Sequence, residues 1–398
     1  MNCLVVAACF AVAAGLLISR HYGNSIARVD LGDYTPPIPG SADDGGSAGP
    51  NGSPDESGET AGSAPTPDEA FPEVDPEAKN FLITGADNNE CIDPNSPFAG
   101  AFENRDELGQ RSDTIMLIRV DPASRRAAIL SFPRDLWVEV RGGGHRKINE
   151  TYDGDDPRPL IETIGENFYL GVDHYIQIDF CAFQTIVDAV DGVSVPFEHP
   201  ARDVNTGLNV PEPGCFTFTG DHALAYVRSR HYESMDESGQ WILDPTSDLG
   251  RISRQSDFVR RVLSSALASG FNPSTARKIL SAVTDYVVVD DELTGRRMIE
   301  FAGLLADLEP GSIATYQIQS EVAEINKRSV QLPRIKGDNM QAILAIFRGQ
   351  APLAGAPQQV AEGPGSSTPP PGGTAVESTT PAAEQNNTGV VPPNTTCP

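Results

Sequence analysis

Residues 111–135, RSDTIMLIRVDPASRRAAILSFPRD, decide the fold of this chain. They hold two short runs rich in Ile, Leu and Val, Thr114–Val120 and Ala127–Ser131, which predict two β-strands. Charged residues stand where these strands begin and end, at Arg111, Asp113, Arg134 and Asp135. The stretch therefore predicts a sheet whose strand ends carry arginines and aspartates.

The chain on either side continues with alternating strands and helices. Two further strands are predicted, at Asn80–Thr84 and His174–Asp179. Amphipathic periodicity predicts helices at Leu160–Asn167, Cys181–Val190, His222–Val227, Ser253–Leu267, Leu293–Leu308 and Gln341–Phe347. Strands interleaved with helices are typical of an α/β protein, so we predict an αβα sandwich with a mixed central sheet covered by helices.

Composition divides the 398 residues into four segments. Residues 79–350 are long enough for one large folded domain. Residues 21–78 and 351–398 are rich in Pro, Gly, Ser, Thr or acidic residues and hold few apolar side chains, so both are predicted to be disordered. Residues 1–20 contain an uncharged run from Cys3 to Ser19.

This uncharged run has 17 residues, which is the lower limit for a membrane-spanning helix. We expect an uncleaved anchor, which makes the chain a single-pass protein of the cell membrane with its folded domain on the extracytoplasmic side. A cleaved signal peptide is the alternative, because its apolar core is shorter and ends in small residues. No Lys or Arg precedes the run, so the positive-inside rule gives no orientation.

The chain is acidic, with 29 Lys and Arg against 55 Asp and Glu and a net charge of −26. Binding of nucleic acid over a broad surface needs a basic field, so we expect no nucleic-acid partner. The acid is unevenly placed, because residues 37–78 hold ten Asp and Glu and no Lys or Arg. Net acidity therefore does not exclude a local basic pocket in the folded domain.

Four of the six cysteines lie outside the predicted anchor, at Cys91, Cys181, Cys215 and Cys397. They would face an oxidising compartment, where disulfides form. We predict a Cys181–Cys215 disulfide, with Cys91 as a competing partner. The spacings match no zinc pattern, and no CxxC is present.

The residues able to carry chemistry are mostly arginines and aspartates at segment ends. They are Asp87, Arg111, Asp113, Arg134, Asp135, Lys147, Arg228, Arg230, Asp248, Arg251, Arg254 and Gln255. Arg251 shares a helix face with Arg254 and Gln255, which follow it three and four positions later. Ligands of α/β sheets bind at the carboxyl ends of strands, where Asp87 and Arg134 fall.

Arginines are the usual bidentate partners of phosphate oxygens, and two aspartates supply the oxygen ligands that Mg²⁺ prefers. Arginines, a lysine and a carboxylate-held magnesium ion together describe a pyrophosphate site that stabilises charge during phosphoryl transfer. The alternative is that each Arg–Asp pair is an ordinary solvated ion pair.

Eight short motifs follow one another along the chain. They are Gly85-Ala86-Asp87, Arg111-Ser112-Asp113-Thr114, Ser131–Asp135, Lys147-Ile148-Asn149, Asp173–Tyr175, Val187–Ala189, Ala223–Arg230 and Asp248–Gln255. In this order they resemble the LytR-CpsA-Psr family of wall-polymer transferases, and the resemblance runs from about Asn80 to Leu267 and weakens toward Phe347. Asp191 departs from the family pattern, which has glycine at that turn.

The resemblance implies a membrane-anchored phosphotransferase. Such an enzyme takes an anionic glycopolymer from a polyprenyl-pyrophosphate carrier, transfers it to a peptidoglycan hydroxyl and releases polyprenyl phosphate. Pyrophosphatase activity is a further expectation. The same resemblance implies Mg²⁺ as the cofactor, held by Asp87 and Asp113.

The resemblance also assigns roles to the other candidates. The implied catalytic residues are Arg134, Arg228, Arg230, Arg251 and Asp248. The implied pyrophosphate-binding residues are these four arginines together with Arg111, and the substrate-binding set further includes Arg254, Gln255 and Lys147. The family holds the lipid tail in an apolar pocket, for which the candidates are Ile176, Ile178, Phe183 and Val187. Ordinary core packing is the alternative for these four apolar residues, and the general base stays open between Asp248 and Asp135.

Two functions of other classes stay open. A non-catalytic receptor for lipid-linked pyrophosphates would share the pocket but would not turn the lipid over. An envelope-linked transcriptional regulator is the other alternative, and the net charge of −26 and the apolar N-terminal run argue against it.

Overall fold

The computed structural model describes residues 26–32, 34, 36, 77–86, 91, 93, 95–102, 112–268, 286–294, 297, 308, 312–360 and 397, with backbone only at 101–102 and 263–268. In this part of the chain no helix is long and apolar enough to cross a membrane. The predicted anchor lies outside the described residues.

Seven strands of the described residues form the central sheet. They are β1 (Ala27–Val29), β2 (Lys79–Gly85), β3 (Ile115–Asp121), β4 (Arg126–Phe132), β7 (His174–Ile178), β14 (Val287–Asp290) and β15 (Ile313–Gln317). Their order across the sheet is β1-β14-β7-β2-β3-β4-β15. The sheet is mixed, because β3 runs antiparallel to both β2 and β4 whereas β7 is parallel to β2 and β15 is parallel to β4.

The remaining strands form small sheets and hairpins around this sheet. They are β5 (Trp137–Glu139), β6 (His145–Lys147), β8 (Val193–Phe197), β9 (Ala201–Asp203), β10 (Leu208–Val210), β11 (Gly214–Phe218), β12 (Glu233–Met235), β13 (Trp241–Leu243), β16 (Ser320–Ile325) and β17 (Arg328–Pro333). Strands β10, β9, β12 and β13 form one four-stranded sheet, and β8–β11, β5–β6 and β16–β17 pair two by two. The 3₁₀ turns are Ala99–Phe102 and Ile148–Glu150.

Among the described residues, five helices cover the two faces of the central sheet. They are α1 (Arg158–Phe168), α2 (Phe180–Ala189), α3 (Gly220–Arg228), α4 (Asp248–Ala268) and α5 (Asp338–Phe347). Successive side chains of a strand point to opposite faces, so Ile83 packs on the face covered by α2, α3 and α4, whereas Leu82 packs on the face covered by α1 and α5. The predicted αβα sandwich with a mixed sheet is confirmed.

The four predicted strands and five of the six predicted helices lie where the sequence placed them, within a few residues at each end. The sixth, Leu293–Leu308, lies almost entirely outside the described residues. Short strands such as β5, β9 and β12 have only three residues each, which is too short for a periodicity to be recognised.

The folded domain is larger than its predicted limits of 79 and 350. Strand β1 lies inside the predicted spacer and pairs in parallel with β14. At the other end, residues 351–360 pack against the domain, and Leu353 is buried at 3% exposure. At both ends a few apolar side chains inside a polar segment, among them Val29 and Leu353, pack against the core.

The predicted Cys181–Cys215 disulfide is wrong. Cys181 is bonded to Cys91, the competing partner, and Cys215 is bonded to Cys397. Cys181 lies buried in the first turn of α2, close to the segment that follows β2, whereas Cys215 lies exposed on β11. The two cysteines therefore lie on different elements, and each bonds to another partner, Cys181 to Cys91 and Cys215 to Cys397.

Candidate functional site

One edge of the central sheet gathers the charged residues that the sequence singled out. Because β3 is antiparallel to its neighbours, its start lies beside the ends of β2 and β4. Asp113 precedes β3 and Arg134 follows β4 at this edge. Arg230 follows α3, and Asp248 and Arg251 occupy the first turn of α4. These five side chains are called the arginine–aspartate cluster below.

Asp113 is the centre of this cluster, and its side chain is only 9% exposed. Its Oδ1 accepts a hydrogen bond from Arg134 Nη1 at 2.8 Å, and its Oδ2 accepts one from Arg230 Nη2 at 2.9 Å. Arg251 Nη2 donates to the Asp113 backbone carbonyl at 3.1 Å. One aspartate therefore holds all three guanidinium groups.

Asp248 is the second carboxylate within reach of the same three arginines. Its Oδ1 lies 2.9 Å from Arg251 Nη2, 3.2 Å from Arg230 Nε and 3.7 Å from Arg134 Nε. Neither Asp248 oxygen makes a hydrogen bond of good geometry to another described residue, although both are shielded from solvent. The contacts of Asp248 are thus chiefly electrostatic.

The cluster changes the proton affinity of its own members. Burial works to raise the pKa of Asp248, but Arg251, Arg134 and Arg230 outweigh it, and the net pKa lies below the ordinary value. Burial likewise works to lower the pKa of Arg134, but Asp113 and Asp248 reverse the direction, so its pKa is raised.

Arg230 behaves in the opposite way to Arg134. Burial and the nearby charge of Arg251 lower the pKa of Arg230 to about 9, against the pull of Asp113 and Asp248. The group stays protonated at neutral pH, but burial and Arg251 make its charged form less stable than it is in water. An incoming anion would relieve this destabilisation, so Arg230 is prepared to bind one.

Lys147 and Asp135 form a second pair beside the cluster. Lys147, the last residue of β6, donates from Nζ to Asp135 Oδ1 at 2.7 Å. Asp135 Oδ2 lies 3.6 Å from Arg134 Nε. The pair therefore extends the polar surface from Arg134 toward the β5–β6 hairpin.

Arg254 and Gln255 are fully buried and bind groups inside the folded domain. Arg254 donates to Asp244 Oδ2 at 2.8 Å and to the Ser229 carbonyl at 2.7 Å. Gln255 Nε2 donates to the Val227 carbonyl at 2.9 Å. The structure thus places both residues behind the cluster, where Gln255 binds the end of α3 and Arg254 binds the segment that follows it.

Arg228 lies at the end of α3, with its guanidinium carbon 4.3 Å from the centre of the Phe180 ring. The four apolar candidates, Ile176, Ile178, Phe183 and Val187, are all buried in the core on the α2–α4 face at exposures of 2% or less. Core packing accounts for their positions.

Asp87 and Arg111 lie outside the described residues. The residues next to them are described. Gly85 N donates to Ser112 Oγ and to the Thr114 carbonyl, both at 3.1 Å. The chain that leads to Asp87 and the chain that follows Arg111 therefore meet beside Asp113.

Two polar residues of the site carry no role in the sequence-based interpretation. Thr114 Oγ1 and Asn149 Oδ1 are buried oxygens without a hydrogen-bond partner in the described structure. Thr114 adjoins Asp113. The backbone N–H of Asn149 donates to the Arg134 backbone carbonyl at 3.2 Å. A buried unsatisfied polar atom is costly and is commonly kept for function. Their only sequence signal is their place inside the two motifs.

The carboxylates of the cluster have the chemistry that Mg²⁺ requires. Asp113 and Asp248 supply hard oxygen donors, and the two Asp248 oxygens are shielded without accepting a hydrogen bond. Among the described residues no group of three or more His, Cys, Asp and Glu is close enough to hold a metal ion. The donor set fits magnesium, and completing it needs a further ligand, the predicted role of Asp87.

Comparisons with known proteins agree with the fold and the motifs. The LytR_cpsA_psr family matches residues 53–346, well over half of the chain. The polyisoprenyl-teichoic acid–peptidoglycan teichoic acid transferase TagU of Halalkalibacterium halodurans is 35% identical over 199 residues, which cover 50% of this chain and 60% of TagU. The cell wall biosynthesis protein LcpA of Corynebacterium glutamicum is 28% identical over 267 residues, covering 59% of this chain and 49% of LcpA.

The chain thus spans about half to three fifths of the length of these curated relatives. Among solved structures, that of Bacillus subtilis TagV superposes with a TM-score of 0.54 at 19% identity, over 70% of this chain and all of TagV. At this identity the superposition shows the fold alone. The extent of the family match and the shared fold together establish that the chain belongs to the LytR-CpsA-Psr family.

Proposed function

We propose that this chain is a phosphotransferase that moves an anionic glycopolymer from a polyprenyl-pyrophosphate carrier to peptidoglycan and releases polyprenyl phosphate. The observation that carries the proposal is the arginine–aspartate cluster, in which three arginines meet two aspartates at one sheet edge. The similarity to TagU, a teichoic acid transferase, supports the same reaction class.

The three arginines would bind the two linked phosphoryl groups. Each guanidinium carries five N–H donors in a planar fork that matches phosphate oxygens, and the fork stays charged throughout the reaction. As negative charge develops on the leaving phosphate, these fixed donors stabilise it more strongly than water would, because they are already oriented. Arg251, at 2% side-chain exposure, is the most deeply buried of the three.

Asp248 would orient the arginines. Its lowered pKa makes it a weak base at neutral pH, whereas its contacts with Arg251 and Arg230 fix the two guanidinium planes. We assign it this positioning part of the reaction. Asp135, held by Lys147, is then the remaining candidate for accepting the proton of the acceptor hydroxyl.

We propose Mg²⁺ as the cofactor, held by Asp113 together with Asp87. When bound, the ion would neutralise phosphate charge and increase the electrophilicity of phosphorus. Asp113 would then have two tasks, because it also holds Arg134 and Arg230 in place.

We also propose that the N-terminal apolar run anchors the domain to the outer face of the cell membrane. A polyprenyl carrier lies in that bilayer, and peptidoglycan lies outside it. Pyrophosphatase activity follows if water replaces the peptidoglycan hydroxyl as the acceptor.

The test is to incubate the full chain in detergent with a polyprenyl-pyrophosphate-linked glycan, Mg²⁺ and peptidoglycan. We expect polyprenyl phosphate to be released and the glycan to become attached to peptidoglycan. A lipid that binds tightly and stays unchanged would support a receptor instead. Arg251→Ala should be inactive, whereas Arg141→Ala, at an arginine that is 68% exposed, is the matched control.

A further inference from the structure

A buried hydrogen-bond network lies behind Arg230 and holds it in the arginine–aspartate cluster. The residues of this network are not members of the cluster. The network consists of Asp203, Ser229, Asp244 and Arg254. All four residues are between 0% and 4% exposed. We propose that Asp203 is a positioning residue, which acts on the reaction through Arg230; the inference rests on the proposed function.

Asp203, the last residue of β9, fixes the backbone that carries Arg230. Its Oδ2 accepts three hydrogen bonds, from Ser229 Oγ at 2.7 Å, from Arg230 N at 3.1 Å and from His231 N at 2.9 Å. Because three consecutive residues donate to this one oxygen, it fixes the backbone of the turn that they form. The other oxygen, Oδ1, accepts from Asn205 N at 2.9 Å, so the carboxylate cannot rotate without losing bonds.

The same turn is held from its opposite side by Arg254. The Ser229 carbonyl accepts from Arg254 Nη2, and Arg254 Nη1 is bound in turn to Asp244. The ring of Tyr232 packs against this guanidinium, with its centre 4.5 Å from the guanidinium carbon. Arg254 is therefore fixed on two sides and has a positioning part in this turn.

Asp244 connects this network to the helix that supplies Asp248 and Arg251. Its Oδ1 accepts from Thr246 N at 2.9 Å, and Thr246 Oγ1 donates to the same oxygen. The following Ser247 has a φ of 47°, and its carbonyl accepts the Arg251 amide at 3.1 Å. The segment after α3 and the start of α4 are thus set relative to each other by buried carboxylates.

The network and the cluster hold Arg230 at its two ends. Asp113 and Asp248 hold the guanidinium end, and Asp203 holds the backbone end. A displacement of about 1 Å at a reacting group can reduce a rate about 100-fold.

The test is a double-mutant cycle on the full chain with Asp203→Asn and Arg230→Ala. The asparagine keeps the shape but has one acceptor oxygen, so either Oδ1 or Oδ2 loses its bonds. We expect Asp203→Asn to lower kcat by about 30-fold, and to cost less than about 2-fold further when Arg230 is already alanine. Losses that multiply in the double variant would overturn the proposal, because a merely structural role is independent of Arg230.

Asp290→Asn is the matched control. Asp290 is also fully buried, and it accepts from Tyr175 N and Leu293 N at 2.9 Å and 2.8 Å, at the opposite edge of the sheet. We expect it to lower Tm and to leave kcat within about 2-fold in both backgrounds. Ser229→Ala, which removes only one donor, is the milder substitute if Asp203→Asn does not fold.

A crystal structure of Asp203→Asn separates this inference from the proposed function. If the wild-type chain releases no polyprenyl phosphate, the proposed function fails, but the position of Arg230 can still be measured. Movement of its guanidinium away from Asp113 and Asp248 supports the positioning role. A guanidinium that stays within hydrogen-bond distance of Asp113 overturns it, whatever the activity.

Discussion

Two arginines of one cluster should respond in opposite ways to the same substitution. The pKa of Arg134 is raised, so the fold favours its charge, whereas the pKa of Arg230 is lowered to about 9, so the fold opposes its charge. We expect Arg134→Gln to lower the free energy of unfolding at pH 7 and Arg230→Gln to raise it or leave it unchanged. Urea unfolding of both variants measures this, and equal destabilisation by both would contradict it.

Both variants should nevertheless lose transferase activity. Removal of one preorganised donor to a developing charge costs about 100-fold to 1000-fold in kcat. Arg230 would then be a residue that trades stability for activity, as functional charges in buried sites commonly do. An Arg230→Gln variant that keeps full activity would remove this arginine from the site.

Asp248 should make the stability of the protein depend on pH in acid. Its folded-state pKa is lowered, so its contribution is present above the unfolded pKa of about 3.9 and is lost as pH falls through the folded pKa. At pH 7 we expect Asp248→Asn to cost about 3 kcal/mol, typical of a broken buried ion pair. The difference from wild type should shrink below about pH 4. Unfolding curves at pH 7 and pH 3 measure it, and a constant difference would contradict it.

At the residue scale, the sequence could predict which charged residues are candidates for the site, but not which of them contact each other. Asp113 and Arg134 adjoin predicted strands, and a sheet edge brings strand ends together, so their contact was within reach of sequence reasoning. Arg254 shares the helix face of Arg251, yet it lies fully buried against Asp244 and Ser229. Nothing local distinguishes the two arginines, because the difference is made by segments 10 and 25 residues away.

At the element scale, the first turn of α4 requires a glycine. Replacement of a helical glycine by alanine normally stabilises a helix by about 1 kcal/mol. A methyl group on Gly250 would instead overlap Asp244 Oδ2 and lie 2.5 Å from Thr246 Oγ1. We therefore expect Gly250→Ala to lower Tm and to reduce kcat, because α4 would have to shift with Arg251. Higher thermal stability in differential scanning calorimetry would contradict this.

The turn between α2 and β8 offers a matched pair of substitutions. Asp191 has a φ of 59°, where a non-glycine residue is strained, and its side chain is exposed. We expect Asp191→Gly to raise the free energy of unfolding by about 0.5 to 1 kcal/mol. Gly192→Ala, one residue later, should lower it, because φ is 87° and the added carbon would lie 2.7 Å from the Phe218 carbonyl. Denaturant unfolding of both variants measures the two signs, and Asp191→Gly that destabilises would contradict the strain.

Long periodic elements could be predicted from the sequence, whereas the pairing of strands and of cysteines that are distant along the chain could not. Strand β3 is apolar and buried on both faces, helix α1 buries one regular face, and both patterns are local. Strand β1 has only three residues and acquires its structure from β14, which lies 261 positions away in register. The disulfide partners of Cys181 and Cys215 depend on the same long-range packing, which explains why the predicted pairing is wrong.

At the scale of the whole molecule, an acidic protein presents a cationic site. The chain carries a net charge of −26, yet three arginines and two aspartates meet at one sheet edge, with the Lys147–Asp135 pair beside them. The surrounding acid would repel polyanions from the rest of the surface, so an anionic substrate would bind chiefly where arginines converge. We expect its binding to weaken as ionic strength rises, because exposed charges are screened over a Debye length of about 10 Å at 0.1 M salt.

The last prediction concerns where the folded domain ends. Residues 351–360 cover β15, an edge strand of the central sheet. The Gln359 side chain accepts a hydrogen bond from Gln317 N at 2.9 Å and donates one to the Gln317 carbonyl at 2.7 Å. The Tyr316 hydroxyl donates to the Pro357 carbonyl at 2.9 Å. An uncovered edge strand invites pairing with another chain.

We therefore expect a chain that ends at residue 360 to fold as a monomer, and a chain that ends at residue 350 to unfold at lower temperature and to aggregate. Both carry Cys215→Ser, because truncation removes its partner Cys397. Light scattering and calorimetry compare the two. Loss of the buried Leu353 side chain should by itself cost about 2 kcal/mol of stability. Equal Tm and equal solubility of the two chains would therefore contradict the prediction and support a domain that ends at residue 350.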